Sequence, residues 1–132
     1  MRLAFGFLAF LASATPIAAA EMLTGPQIEP ALNGVTIWYE PLSARSARQF
    51  FNKNGETPYV DAKGSKTYGQ WSVRGDKYCS LWPPSDHWTC FEVERETRAD
   101  GNVFITFASG GGGKRYVGIA KPGMHVDEAW GG

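Results

Sequence analysis

Two histidines, His87 and His125, are present in the sequence, and neither has the HxxxH, HxH or Cys/His companion that a zinc site of three or four ligands requires. Asp86, Asp127 and Glu128 lie beside them without a ligand pattern, so no metal site is expected. Ser85-Asp86-His87 contains the residue types of a hydrolase triad, but triads are assembled across a fold, and immediate neighbours on one turn cannot converge. No GxSxG elbow or HExxH pair occurs. Glu92, Glu94 and Glu96 alternate with Val93 and Arg95, which puts three carboxylates on one strand face. Acid–base work there would need a cleft and a partner strand, whereas a solvated outer face accounts for them directly. Gly110-Gly111-Gly112-Gly113-Lys114 looks like a phosphate loop, yet Arg115 takes the hydroxyl position and a strand follows instead of a helix. The glycines therefore read as a hairpin connection. No catalytic residue and no cofactor is expected.

Binding is the chemistry these residues suit better. The loop Leu81-Trp82-Pro83-Pro84-Ser85-Asp86-His87-Trp88 is stiffened by two prolines and bracketed by two indoles. It can hold aromatic surface out at low entropic cost, as partner hot spots and ligand platforms do, or fold both rings back over the hairpin or a barrel end. Trp82, His87 and Trp88, with Lys114 and Arg115 at the glycine hairpin, are the candidate ligand- or partner-binding residues.

The elements that must position them are short strands. Leu23 to Gly34 carries helix signals: Thr24 as cap with Gln27 reaching back, Leu23 placed to staple onto Ile28, Pro26 in the first turn, and Asn33-Gly34 as the stop. Pro30 limits this helix to about two turns. Beyond Gly34 the period becomes two. Val35–Tyr39, Gln49–Phe51, Thr57–Asp61, Tyr68–Val73, Lys77–Leu81, Trp88–Glu96, Val103–Ala108 and Arg115–Ile119 alternate with turn residues. The expected fold is all-β and mainly antiparallel, a small barrel or sandwich of about seven or eight strands with a short N-terminal helix. Alternation puts Trp71 and Val73, and Phe91 and Val93, on core faces. Trp38, Tyr39, Tyr68 and Tyr116 are expected to line a barrel mouth.

The N-terminus sets the compartment. Arg2, the apolar run Leu3–Leu11 and the small residues closing on Ala18-Ala19-Ala20 form the three-part layout of a secretory signal peptide, with cleavage expected after Ala20. The apolar run is too short to span a bilayer, and no later segment approaches the length needed. Residues 21–132 are then one β-rich domain in the periplasm or outside the cell. Without Arg2 the formal charge is −1, with no basic stripe, so nucleic acid is not an expected partner. In an oxidising compartment Cys79 and Cys90 are expected to form a disulfide that locks the register of two strands. Closing a loop of about 12 residues contributes roughly 2.5–3 kcal/mol in the chain-entropy account.

Three pieces together resemble a family of small exported alphaproteobacterial proteins of unknown function: the entry helix Leu23-Thr24-Gly25 to Leu32, the opening Asn33-Gly34-Val35-Thr36, and Gly69-x-Trp71-x-Val73-x-Gly75-Asp76-x-x-Cys79-x-x-Trp82 followed by Cys90. The resemblance covers most of residues 23–94. It implies a Gram-negative periplasmic setting and a compact β-rich fold, and carries over no catalytic residue. The Gly-x-Trp element is also similar to that of lipocalin and avidin-like barrels, where it stands on the first strand rather than mid-chain. The expected function is non-enzymatic binding of an envelope protein or small ligand. Two alternatives are an inhibitor of an envelope hydrolase of the lysozyme type, presenting Lys114 and Arg115, and a small hydrolase using Glu92 or Glu94.

Overall fold

The computed structural model describes residues 20–131; the expected leader, bar its last residue Ala20, lies outside them. In chain order the elements are β1 (Glu21–Met22), α1 (Gly25–Leu32), β2 (Val35–Tyr39), β3 (Arg48–Phe50), β4 (Glu56–Val60), β5 (Lys66–Arg74), β6 (Lys77–Leu81), β7 (Thr89–Thr97), β8 (Val103–Ala108) and β9 (Arg115–Pro122). From β2 to β9 each strand pairs antiparallel with the next, and β9 returns to β2 with Ile37 opposite Ala120. The all-β fold with one short helix is thus an up-and-down barrel of eight strands, and closure is what decides barrel over sandwich. Strand β1 is too short to complete a ninth stave. It fills the part of the β7 edge that β6 leaves free, with Glu21 opposite Arg95, and the Leu23 amide donates to the Val93 carbonyl at 2.8 Å.

Alternating strand directions put the connections at 51–55, 75–76 and 98–102 at one end and those at 40–47, 61–65, 82–88 and 109–114 at the other. Helix α1 closes the first end. Its N-terminus is set by Gln27 Oε1, which accepts from the Thr24 amide at 2.9 Å and the Thr24 hydroxyl at 3.2 Å. Gly34 ends the turn at φ 71°, a conformation that favours glycine. Leu23, Ile28 and Leu32 are fully buried against Ile37, Phe51, Trp71, Val93 and Ile105, each contributing about 1.5–3 kcal/mol. The helix is seated on the β5–β6 turn. The Gly25 amide donates to Asp76 Oδ1 at 2.7 Å, and a Cβ on Gly25 would lie 2.2 Å from the Gly75 carbonyl oxygen. Trp71 completes the floor, edge-on to Phe51 and donating Nε1–H to the Asn52 carbonyl at 2.8 Å.

Cys79 and Cys90 are bonded, and they sit directly opposite one another on β6 and β7, so the bond fixes the pairing of the two strands. Segment 123–130 crosses the outer wall as a strap. Thr36 donates to the Gly123 carbonyl at 2.7 Å, Arg48 to that of Val126 at 2.6 Å, and Lys66 pairs with Asp127 at 2.6 Å. Two expected mouth residues are corrected by this arrangement. Trp38 faces outward beneath the strap, stacked on His125 with ring centroids 5.8 Å apart and donating to the Glu128 carbonyl at 3.1 Å. Tyr68 lies on the exposed outer face of β5 because its neighbours Gly69 and Trp71 take the interior register.

Candidate functional site in the barrel mouth

The end opposite α1 is open and leads into a cavity of about 810 Å³. That volume is within the range of small-molecule sites. Its position follows from the interior register. Trp71 and Val93 fill the lower barrel, while the upper ends of the same strands carry Gly69 and Thr67 on β5 and Thr89 on β7. Space opens where the side chains shrink. The walls are aromatic: Tyr39, Tyr59, Tyr78, Trp82, Phe91, Phe107 and Tyr116. Several of these rings meet edge to face, with Tyr59 on Trp82 at 70°, Tyr39 on Tyr116 at 73° and Phe91 on Tyr116 at 76°. Such pairs hold one another in fixed orientations.

A chain of hydrogen bonds runs across the cavity base. The Tyr39 hydroxyl donates to Gln49 Oε1 at 2.6 Å, and Gln49 Nε2 donates to the Tyr78 hydroxyl at 2.9 Å and to Thr57 Oγ1 at 2.8 Å. Thr57 in turn donates to the Phe50 carbonyl at 2.8 Å, and Trp82 Nε1 donates to Ser80 Oγ at 3.1 Å. Gln49, Thr57 and Ser80 are buried polar residues, so these bonds offset a desolvation cost of about 1–3 kcal/mol per group. The phenols are kept protonated. Burial pushes Tyr78 up to about 12, with the Ser80 and Gln49 hydrogen bonds pulling the other way. Burial also raises Tyr39 well above its ordinary value, helped by the phenols of Tyr78, Tyr59 and Tyr116, and raises Tyr59, helped by the Asp61 carboxylate.

Trp82 and Lys114 line the mouth, together with Tyr39 and Tyr116. Trp82 enters because Gly69 leaves room: a Cβ there would stand 2.6 Å from the indole ring. Trp88 instead lies half-buried on the outer wall, where the Arg74 guanidinium sits 4.2 Å from the centre of its ring. The proline loop therefore sends its two indoles to opposite faces of the barrel wall, Trp82 inward and Trp88 outward. His87 projects from the loop with its side chain 90 % exposed and Asp86 3.3 Å away. Arg115 also leaves the mouth, facing Glu94 across the outer surface at 3.9 Å. Lys114 and Arg115 consequently form no joint prong. Glu94 and Glu96 lie on that same outer wall, Glu96 3.8 Å from Arg98.

The residues that sequence reasoning missed are Gln49, Tyr59, Tyr78 and Ser80. Gln49 sits between Arg48 and Phe50, where nothing in its neighbours separates a buried amide from a surface one; Tyr78 and Ser80 were legible in principle, since they alternate with Cys79. Among the described residues no group of three His, Cys, Asp or Glu side chains could hold a metal ion, and no helix is long and apolar enough to cross a membrane. No protein-family model matches the chain, and neither a curated protein nor a solved structure is significantly similar to it.

Proposed function

We propose that this chain is an exported, non-enzymatic binding protein of the cell envelope that takes a small ligand into the barrel mouth. One observation carries the reading: a barrel floored by a helix at one end and open at the other holds a cavity of ligand size, walled by aromatic rings and based on a fixed hydrogen-bond chain. Preformed concave sites with a few placed polar groups are where small molecules bind. Export is supported by the leader-like start of the sequence and by the Cys79–Cys90 bond, which an oxidising compartment permits.

Occlusion tests the cavity better than truncation does. Thr67 and Thr89 line the upper cavity and are exposed, so Thr89→Trp or Thr67→Trp fills the entrance without disturbing the floor. Native mass spectrometry of the protein isolated from periplasm is expected to show an adduct of defined small mass on the wild type that is absent from both variants. N-terminal sequencing of the same sample is expected to begin at Glu21. A wild-type spectrum free of adduct, or an adduct that survives both occluding substitutions, would refute the proposal.

A further inference from the structure

Resting on the reading of the mouth as a ligand site, we infer that its ligand is uncharged: a flat aromatic or alicyclic molecule carrying at most hydroxyl or carbonyl groups. The cavity wall below the rim contains rings, hydroxyls and one amide, and no carboxylate, ammonium, guanidinium or imidazole. An ion drawn into such a site loses its water and finds no counter-charge, a cost of several kcal/mol. Most of the buried dipoles are already spent on one another. The Gln49 amide is engaged by Tyr39, Thr57 and Tyr78, and Ser80 Oγ accepts from Trp82.

At the rim one charge of each sign, Lys114 and Glu40, lines the opening, so the lining itself carries no net charge to favour an anion or a cation. An aromatic cage for a cation is the competing use of so many rings. Such a cage needs ring faces turned to its centre. Here the edge-to-face pairs Tyr59–Trp82, Tyr39–Tyr116 and Phe91–Tyr116 direct ring edges at neighbouring faces, so much of that negative surface is already occupied. Edges and apolar faces remain for a neutral ring to pack against. The phenols of Tyr59 and Tyr116, at the half-exposed entrance, can bond a ligand hydroxyl or carbonyl.

Three fluorescent probes with related ring systems separate the possibilities: neutral N-phenyl-1-naphthylamine, its sulfonate 8-anilinonaphthalene-1-sulfonate, and a naphthyl trimethylammonium salt. Each is titrated into the disulfide-bonded protein and into Thr89→Trp. The neutral probe is expected to saturate at one site per chain, at least about tenfold tighter than either ion, and to lose that site in Thr89→Trp. Equal or tighter binding of the sulfonate or the ammonium, lost in Thr89→Trp, would overturn the inference while leaving the cavity a ligand site. If none of the three binds, or if Thr89→Trp binds them unchanged, the inference falls together with the reading beneath it.

Discussion

Gly69→Ala isolates the contact on which the shape of the mouth depends. A methyl group at position 69 would stand 2.6 Å from the Trp82 indole, where ordinary contact begins near 3.4 Å, so the ring must retreat by about 0.8 Å or leave. Retreat is overpacking, which costs about 1–3 kcal/mol. Departure gives up the Trp82–Ser80 hydrogen bond, worth about 0.5–1.5 kcal/mol, and the edge contact with Tyr59, worth a similar amount. Either route gives a penalty near 2 kcal/mol. Gly69 has no left-handed backbone to protect, so in a strand the alanine otherwise gains about 0.5–1 kcal/mol from reduced chain entropy. The net expectation is a loss of about 1–1.5 kcal/mol in the wild type and a gain of about 0.5–1 kcal/mol in a Trp82→Ala background. Urea unfolding followed by far-UV circular dichroism on the four proteins of the cycle measures both. The change of sign is the signature, with a coupling of about 2 kcal/mol. Additivity within about 0.5 kcal/mol would refute the seating of Trp82 on Gly69.

Three further outcomes follow from the same contacts. Cys79→Ser with Cys90→Ser is expected to lower unfolding free energy by about 3 kcal/mol, read by urea denaturation, because a loop of about 12 residues regains its freedom in the unfolded chain. Gln49→Leu removes the partner shared by Tyr39, Thr57 and Tyr78 and is expected to cost about 2 kcal/mol, seen as a lower melting temperature; an unchanged one would show that the buried chain contributes nothing. Alkali is the third perturbation. Tyr78 titrates near 10.0 when unfolded and at about 12 when folded, so its contribution is fully present below pH 10 and is lost as pH rises through 12. That loss is roughly 3 kcal/mol, and it is checked by urea unfolding below pH 10 and near pH 12, between which Tyr78→Phe should lose less stability than the wild type.

Local pattern carried much of this fold. The capping residues of α1, the eight main strand positions and the inward set Trp71, Val73, Phe91 and Val93 were all legible because periodicity and caps are properties of short segments. Closure was not, since β9 meeting β2 is a relation between residues 79 to 87 positions apart in sequence that no local pattern encodes. The facing of the mouth residues follows from the same alternation. Trp38 and Tyr39 are adjacent on one strand and cannot both face inward, and once Trp71 is assigned to the core, Tyr68 must face out. The strap over Trp38 had no periodic signal to find, because segment 123–130 holds the wall through carbonyls and isolated side chains rather than through a strand.

The Gly69-to-Cys90 pattern makes structural sense as a division between the two ends of one barrel. Gly75 and Asp76 receive the helix that shuts the floor, Trp71 fills the space above it, and Cys79–Cys90 fixes the strands between. Gly69, two residues toward the mouth from Trp71, has the opposite effect: it removes a side chain so that Trp82 can form wall instead of plug. An eight-stranded barrel has room inside for little more than its own side chains. A cavity of this size is made by small residues at particular interior positions: Thr67 and Thr89 line it toward the mouth from Trp71 and Phe91 on their own strands, and Ser80 lines it directly opposite Trp71. Ser80 is the buried one of these, and a larger apolar side chain there would gain about 1.5–3 kcal/mol by burial. Leaving Ser80 small forgoes that stabilisation at the same end of the barrel where the hydrogen-bonded phenols and the half-exposed tyrosines are gathered, the arrangement the proposed binding site requires.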